Sequence, residues 1–154
     1  MTRHLDDPTD KQLASLLVAD GRSTLKNLAA ATGLSVSAVQ ARVRRLESDG
    51  IIRGYQADVD PEALGLPLAA IIAVTPRDPE HEYDIPERVG ELNEIESCHS
   101  VAGDDSFVLF VRVASPLALE ELIREIRRRA DVSTRTTVVL QTLFERKARP
   151  RAET

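Results

Sequence analysis

Leu34-Ser-Val-Ser-Ala-Val-Gln-Ala-Arg-Val-Arg-Arg-Leu-Glu47 has the spacing of an amphipathic helix. At about 100° per residue, with Val39 at zero, Val43 and Leu46 fall within about 40° of it and form an apolar stripe. Ser37, Ala41, Arg44 and Ser48 fall opposite, Ala38 and Arg45 lie beside them, and Gln40 and Arg42 sit at the flanks. Ser35 is placed to cap this helix, and Gly50 to stop it after Asp49. The outward face is small and polar near its start and basic further along. A helix in a major groove needs that combination. Small side chains allow close approach, Ser and Gln address base edges, and arginines meet phosphates or guanine. A merely solvated charged face is the competing reading, and the elements around the helix weigh against it.

Upstream, Asp7 is a plausible N-cap with Pro8 at the first helical position, followed by Leu13, Leu16 and Leu17 at helical spacing and a stop at Asp20-Gly21. Ser23 or Thr24 can cap a second helix with Leu25, Leu28 and Ala29 inward and Gly33 at its end. Two short helices, a glycine-containing turn and a longer third helix make a helix-turn-helix pattern over residues 1–52. Ile51-Ile52-Arg53-Gly54-Tyr55 reads as a short extended segment. Residues 53–67, with Asp60-Pro61 and Gly65-Leu66-Pro67, read as a wing or linker.

Downstream, residues 68–146 alternate strand and helix in the order βαββαβ, a ferredoxin-like sheet with both helices on one face, so the chain is α+β. The spacing predicts strands at 68–74, 95–102, 106–114 and 132–144. It predicts helices over 84–94, with Asp84 and Glu87 in capping-box positions, and from Ser115-Pro116 onward. Residues 147–154 read as a disordered tail. Leu68–Val74, Phe107–Val111 and Val138–Leu140 are apolar at consecutive positions, whereas a sheet with a solvated face should alternate. The uncovered face is therefore expected to bury itself against a second copy.

Charge divides the same way. Residues 1–54 hold eight Lys/Arg against six Asp/Glu, and residues 55–154 hold twelve against nineteen, within a net charge of -5. Two modules with different partners fit that asymmetry. The 154 residues are 42% hydrophobic and 29% charged. No apolar run nears the roughly 18 residues of a membrane helix, and the N-terminus lacks a signal core, so a cytoplasmic protein without a membrane partner is expected. Cys98 alone cannot build a disulfide framework, His4, His81 and His99 are scattered, and no phosphate loop, serine elbow or metal-ligand cluster occurs. No cofactor or metal is expected.

The run Ser100-Val-Ala-Gly-Asp-Asp-Ser106 reads as a hairpin turn with two carboxylates. Ser100, Val101, Ala102, Gly103, Asp104 and Asp105, together with Thr134 and Thr136 on one face of the last strand, are candidates for holding a small zwitterion. Arg127-Arg128-Arg129 tempts as a second nucleic-acid site. It ends a helix that begins with Glu120 and Glu121, so it reads better as a complement to the helix dipole. Cys98 and His99, adjacent on a strand, face opposite ways and do not suit a shared site.

The segment 34–47 followed by Gly50-Ile-Ile resembles the recognition helix of the leucine-responsive/asparagine regulator (Lrp/AsnC) family, on Val39, Arg42, Val43, Arg44, Leu46 and Glu47. The resemblance extends from Leu5 to about Phe144, and Val101-Ala-Gly103 is similar to that family's turn before its third strand. Where the family usually has an aspartate three residues after this glycine, the chain has Ser106. The resemblance implies a transcriptional regulator that binds double-stranded DNA through Ser35, Ser37, Ala38, Gln40, Ala41, Arg42, Arg44 and Arg45. It further implies assembly into dimers and octamers and an amino-acid effector. The alternative is an enzyme subunit of siroheme-decarboxylase type, which shares the architecture and would use His99 towards a tetrapyrrole.

Overall fold

The computed structural model describes residues 5–145. It divides into two compact units, the first running to Asp58 and the second spanning Val59–Leu143. The expected tail at 147–154 lies outside the described residues.

The first unit holds helices α1 (Pro8–Ala19), α2 (Leu25–Thr32) and α3 (Val36–Ser48). Asp7 caps α1 by accepting from the backbone N–H groups of Thr9 and Asp10 at 2.8 and 3.1 Å. Thr24, not Ser23, caps α2 by accepting from Asn27 at 3.2 Å, and Gly33 closes it at φ +71°, a conformation a side chain would strain. Ser35 caps α3 by accepting from Ala38 at 3.2 Å. Leu13, Leu28, Val39, Val43 and Leu46 close one buried cluster, with Leu16, Leu17, Ile51 and Ile52 packed against it. After α3 the chain forms no strand over residues 51–60. It is tied back by Tyr55, whose O–H donates to the Glu47 carboxylate at 2.9 Å. Partial burial and that carboxylate push the phenol above its ordinary pKa.

The second unit runs β1 (Leu68–Pro76), a 3-10 helix (Pro79–Asp84), α4 (Ile85–Val89), β2 (Ile95–Ser100), β3 (Phe107–Val113), α5 (Pro116–Ala130) and β4 (Val132–Val139). The sheet is antiparallel in the order β2-β3-β1-β4, which is the ferredoxin-like arrangement. Ala70, Ile72 and Val74 of β1 and Leu109, Val111 and Val113 of β3 meet Ile85, Val89, Leu119, Leu122 and Ile126 in one core. Each fully buried aliphatic side chain there contributes roughly 1.5–3 kcal/mol of burial.

Three expectations change. The helix expected over 84–94 is a single turn and a half with a 3-10 entry. The Asp84 carboxylate accepts from Arg88 at 3.2 Å instead of capping, and the helix closes at Gly90, where a Cβ would sit 2.9 Å from the Pro86 carbonyl. The last strand stops at Val139, five residues early, because its partner β1 starts at Leu68 behind Pro67, which has no N–H to offer a ladder. Leu140, Leu143 and Phe144 are left exposed beyond it. The third change concerns two-sidedness, which holds for β1 and β3 but not for β4. Val138, opposite Ala70, lies on the helix side, and the outward residues of β4 are Ser133, Arg135, Thr137 and Val139.

Arg127-Arg128-Arg129 is structural here. Arg127 donates to the Thr134 hydroxyl at 2.8 Å, and Arg128 and Arg129 both reach Glu125 at 2.6 Å. These two arginines, Arg128 first, pull the Glu125 carboxyl down to about 2. A folded-state value below the ordinary one means the pairs stabilise the fold fully above about 4.5, and that contribution fades as pH falls towards about 2. Thermal melts of the native and Glu125→Gln proteins should therefore differ most above pH 4.5 and converge as the pH is lowered through that window.

Candidate nucleic-acid interface and effector site

On α3 the buried stripe is Val39, Val43 and Leu46, as the periodicity requires. Ser35, Ser37, Ala41 and Arg44 are exposed, and Ala38 and Gln40 half-buried. The Ser35 and Ser37 hydroxyls lie 3.2 Å apart. The three arginines do not share one role. Arg42 reaches Asp10 at 2.7 Å and Asp7 at 3.1 Å, and Arg45 reaches the second oxygen of Asp10. Arg44, about 140° from Val39, has no ion pair among the described residues. Arg42, at the flank, and Arg45, beside the outward face, are both expected from the sequence among the DNA contacts. Their angular positions turn them instead towards the first turn of α1.

Asp10, only 4% exposed, is not among the sequence-derived candidates. Its signal was present, since it precedes Leu13 by three residues and so falls on the buried stripe of α1. Asp7 does double duty. Chiefly the Arg42 guanidinium, then the capping N–H of Asp10, holds its carboxyl below the usual range. Arg22, Lys26 and Arg53 are further exposed cations of this unit.

In the second unit, the turn between β2 and β3 is closed by Val101 N–H donating to Ser106 at 3.1 Å, and Ser106 N–H donates to Val74 at 3.0 Å. Gly103 adopts φ +153°, Ala102 and Asp104 are exposed, and Asp105 is half-buried. Asp105 accepts from the Thr75 hydroxyl at 3.2 Å and from Arg135 at 2.5 Å. Thr134 and Thr136 do not join this cluster within one chain. Paired with Val74 and Ile72, they lie on the helix side, where Thr134 accepts from Arg127, while Thr75 and Arg135 lie on the other face. Arg135 is not among the sequence-derived candidates, although alternation along the strand places it opposite Thr134 and Thr136.

The face of the sheet away from the helices carries Ala69, Ile71 and Ala73 of β1 opposite Arg112, Phe110 and Val108 of β3. Ile71 is 39% exposed, large for an isoleucine in mid-sheet. Arg112 lies 5.5 Å over the Phe110 ring and pairs with Glu96 at 2.9 Å, so charged pairs border an apolar centre. His99 projects from β2 on the same face and shares a hydrogen bond with Ser97 at 3.0 Å.

A helix-turn-helix unit with a polar, basic outward helix, joined to a ferredoxin-like unit, defines a DNA-binding regulator with a separate second domain. Residues 6–53 match the winged helix-turn-helix DNA-binding family, and residues 69–149 match the Lrp/AsnC ligand binding domain family. Over 144 residues the chain is 54% identical to the HTH-type transcriptional regulator LrpA of Mycobacterium tuberculosis, covering 94% of this chain and 95% of that one. A feast or famine regulatory protein from M. tuberculosis, complexed with L-methionine, is similar in structure with a TM-score of 0.90 at 52% identity, over 94% and 99% of the two chains. A transcriptional regulator from Neisseria meningitidis in an L-methionine complex gives a TM-score of 0.86 at 25% identity, over 95% and 97%. The chain belongs to the Lrp/AsnC family of transcriptional regulators and carries that family's DNA-binding and ligand-binding domains. The tetrapyrrole-enzyme alternative is not favoured, because the relatives are regulators. No helix among the described residues is long and apolar enough to cross a membrane.

Proposed function

We propose that this regulator, working in the cytoplasm, reads operator DNA with the outward face of α3: Ser35, Ser37, Ala38, Gln40 and Ala41 at the bases and Arg44 at the backbone. The observation that carries this reading is the segregation of exposed polar residues and an unpaired Arg44 from the buried Val39, Val43 and Leu46. Phosphate contacts set affinity and its salt dependence, and base-edge contacts set sequence preference. In gel-shift titrations at several salt concentrations, Arg44→Ala should weaken all duplexes alike and reduce the salt slope by about one. An unchanged slope would remove Arg44 from the interface.

The second copy is placed against the uncovered sheet face. Ile71, Val108 and Phe110, bordered by Arg112–Glu96 and Arg135–Asp105, have the apolar centre and polar rim of a protein interface. A two-fold dimer built this way, able to assemble further towards an octamer, would require operator half-sites about 10–10.5 base pairs apart or a multiple of that. Phe110→Asp puts a charge on the outer face and leaves the helix-side core intact. It should yield a folded monomer by light scattering. A native protein that runs as a monodisperse monomer at micromolar concentration would defeat this assembly.

An amino acid is the proposed effector, bound at the turn Ser100–Asp105. Support comes from the L-methionine complexes of the two similar regulators and from the chemistry of the turn. Asp105 is taken up by Arg135 and Thr75, so Asp104 is the carboxylate for the ammonium group, with turn N–H groups for the ligand's carboxylate. Thr134 and Thr136, on the helix side, would serve such a ligand from a neighbouring subunit. Gly103→Val forces a branched residue to φ +153° and should cost at least about 1 kcal/mol of stability while abolishing binding. Calorimetry against the twenty amino acids checks this, and equal binding by native and variant proteins would leave the turn a purely structural role.

A further inference from the structure

Asp10 is the sole buried charged residue among the described residues, and it sits beneath the helix that meets DNA. A carboxylate removed from water is tolerated when both oxygens are paired, and withdrawing a partner is costly. Here Oδ1 accepts from Arg42 at 2.7 Å and Oδ2 from Arg45, while Asp7 adds a second carboxylate to Arg42 at 3.1 Å. Two of the three arginines on α3 are thus neutralised within the protein, one acidic residue for each. Arg45 nevertheless keeps about half its side chain in solvent, so its guanidinium would be free to reach outward if it were released. Arginine–phosphate contacts raise affinity for every sequence equally.

We propose that Asp10 is a specificity-setting counter-charge: it withholds Arg42 and Arg45 from the DNA backbone, so that binding rests on the small polar face of α3 and on Arg44. The inference rests on DNA binding through α3. Its role is positional, since Asp10 itself touches no base or phosphate. The sign of its effect separates it from a purely structural one. Loss of a structural residue weakens binding, whereas loss of this counter-charge strengthens binding to DNA of arbitrary sequence.

The test uses the full chain, with a genomic fragment selected by the native protein and a random-sequence duplex of equal length, titrated by fluorescence anisotropy across salt concentrations. Asp10→Asn keeps the shape and one acceptor but drops the charge. On the random duplex its salt slope should steepen by about one for each arginine released, with affinity at about 0.15 M salt rising roughly fivefold for one new phosphate contact. The preference for the selected fragment should fall correspondingly. Asp10→Asn/Arg45→Gln should bring the slope back towards the native value. An unchanged or shallower slope in Asp10→Asn overturns the proposal. Arg45→Gln alone leaves Asp10 paired with Arg42 and tests the same claim where Asp10→Asn folds poorly: its slope should match the native one, and a loss of about one would put Arg45 on a phosphate and sink the idea. Native protein that bound neither duplex would overturn the DNA-binding reading as well, an outcome readily told from the others.

Discussion

A four-stranded sheet covered by helices on one face imposes a rule on every residue of its strands: odd and even positions have different fates. In β3 the rule is complete, with Phe107, Leu109, Val111 and Val113 buried and Val108, Phe110 and Arg112 turned the other way. The register then passes that division to β1 and β4. It puts Thr134 and Thr136 on the helix side, where Thr134 meets Arg127 on α5, and sends Arg135 to Asp105 beside the turn. It also gathers Ile71, Val108 and Phe110 into one apolar surface with no helix over it among the described residues. Core, candidate effector turn and candidate subunit interface are three consequences of a single parity.

The first unit obeys the corresponding helical rule. Leu13, Leu28, Val39, Val43 and Leu46 fix how α1, α2 and α3 face one another, and the caps at Asp7, Thr24 and Ser35 set where each begins. The packing brings the first turn of α1 against the flank of α3, so Asp7 and Asp10 confront Arg42 and Arg45. Electrostatics and packing are joined at this point. A unit with a small net positive charge thus keeps fewer unpaired arginines on α3 than its composition suggests.

Function follows from keeping these two rules on separate units. One presents a helix face whose small polar residues suit base edges. The other offers a two-sided sheet, one side holding its own core together and the other, the available side, proposed to take a second copy. A ligand held by the turn at Gly103 would lie beside Asp105 and Arg135, at the border of that available side, where subunit contacts could sense it.

Much of this was legible in the amino-acid sequence. Caps, glycine stops and helical spacing located the three helices, and the alternation of element types predicted the ferredoxin-like order. Consecutive apolar residues in β1 and β3 marked a sheet that is apolar on both faces. These features depend on neighbours within about one helical turn or two strand positions, and local chemistry determines them. What the sequence could not decide were pairings across long separations. The loss of the last strand beyond Val139 depends on where β1 begins, some seventy residues earlier. The capture of Arg42 and Arg45 depends on Asp10, more than thirty residues away. Thr134 and Arg135 were distinguishable only once a register gave the strand an inside and an outside. Local periodicity assigns a residue to a face, but which partner waits on that face is settled by the packing of distant segments.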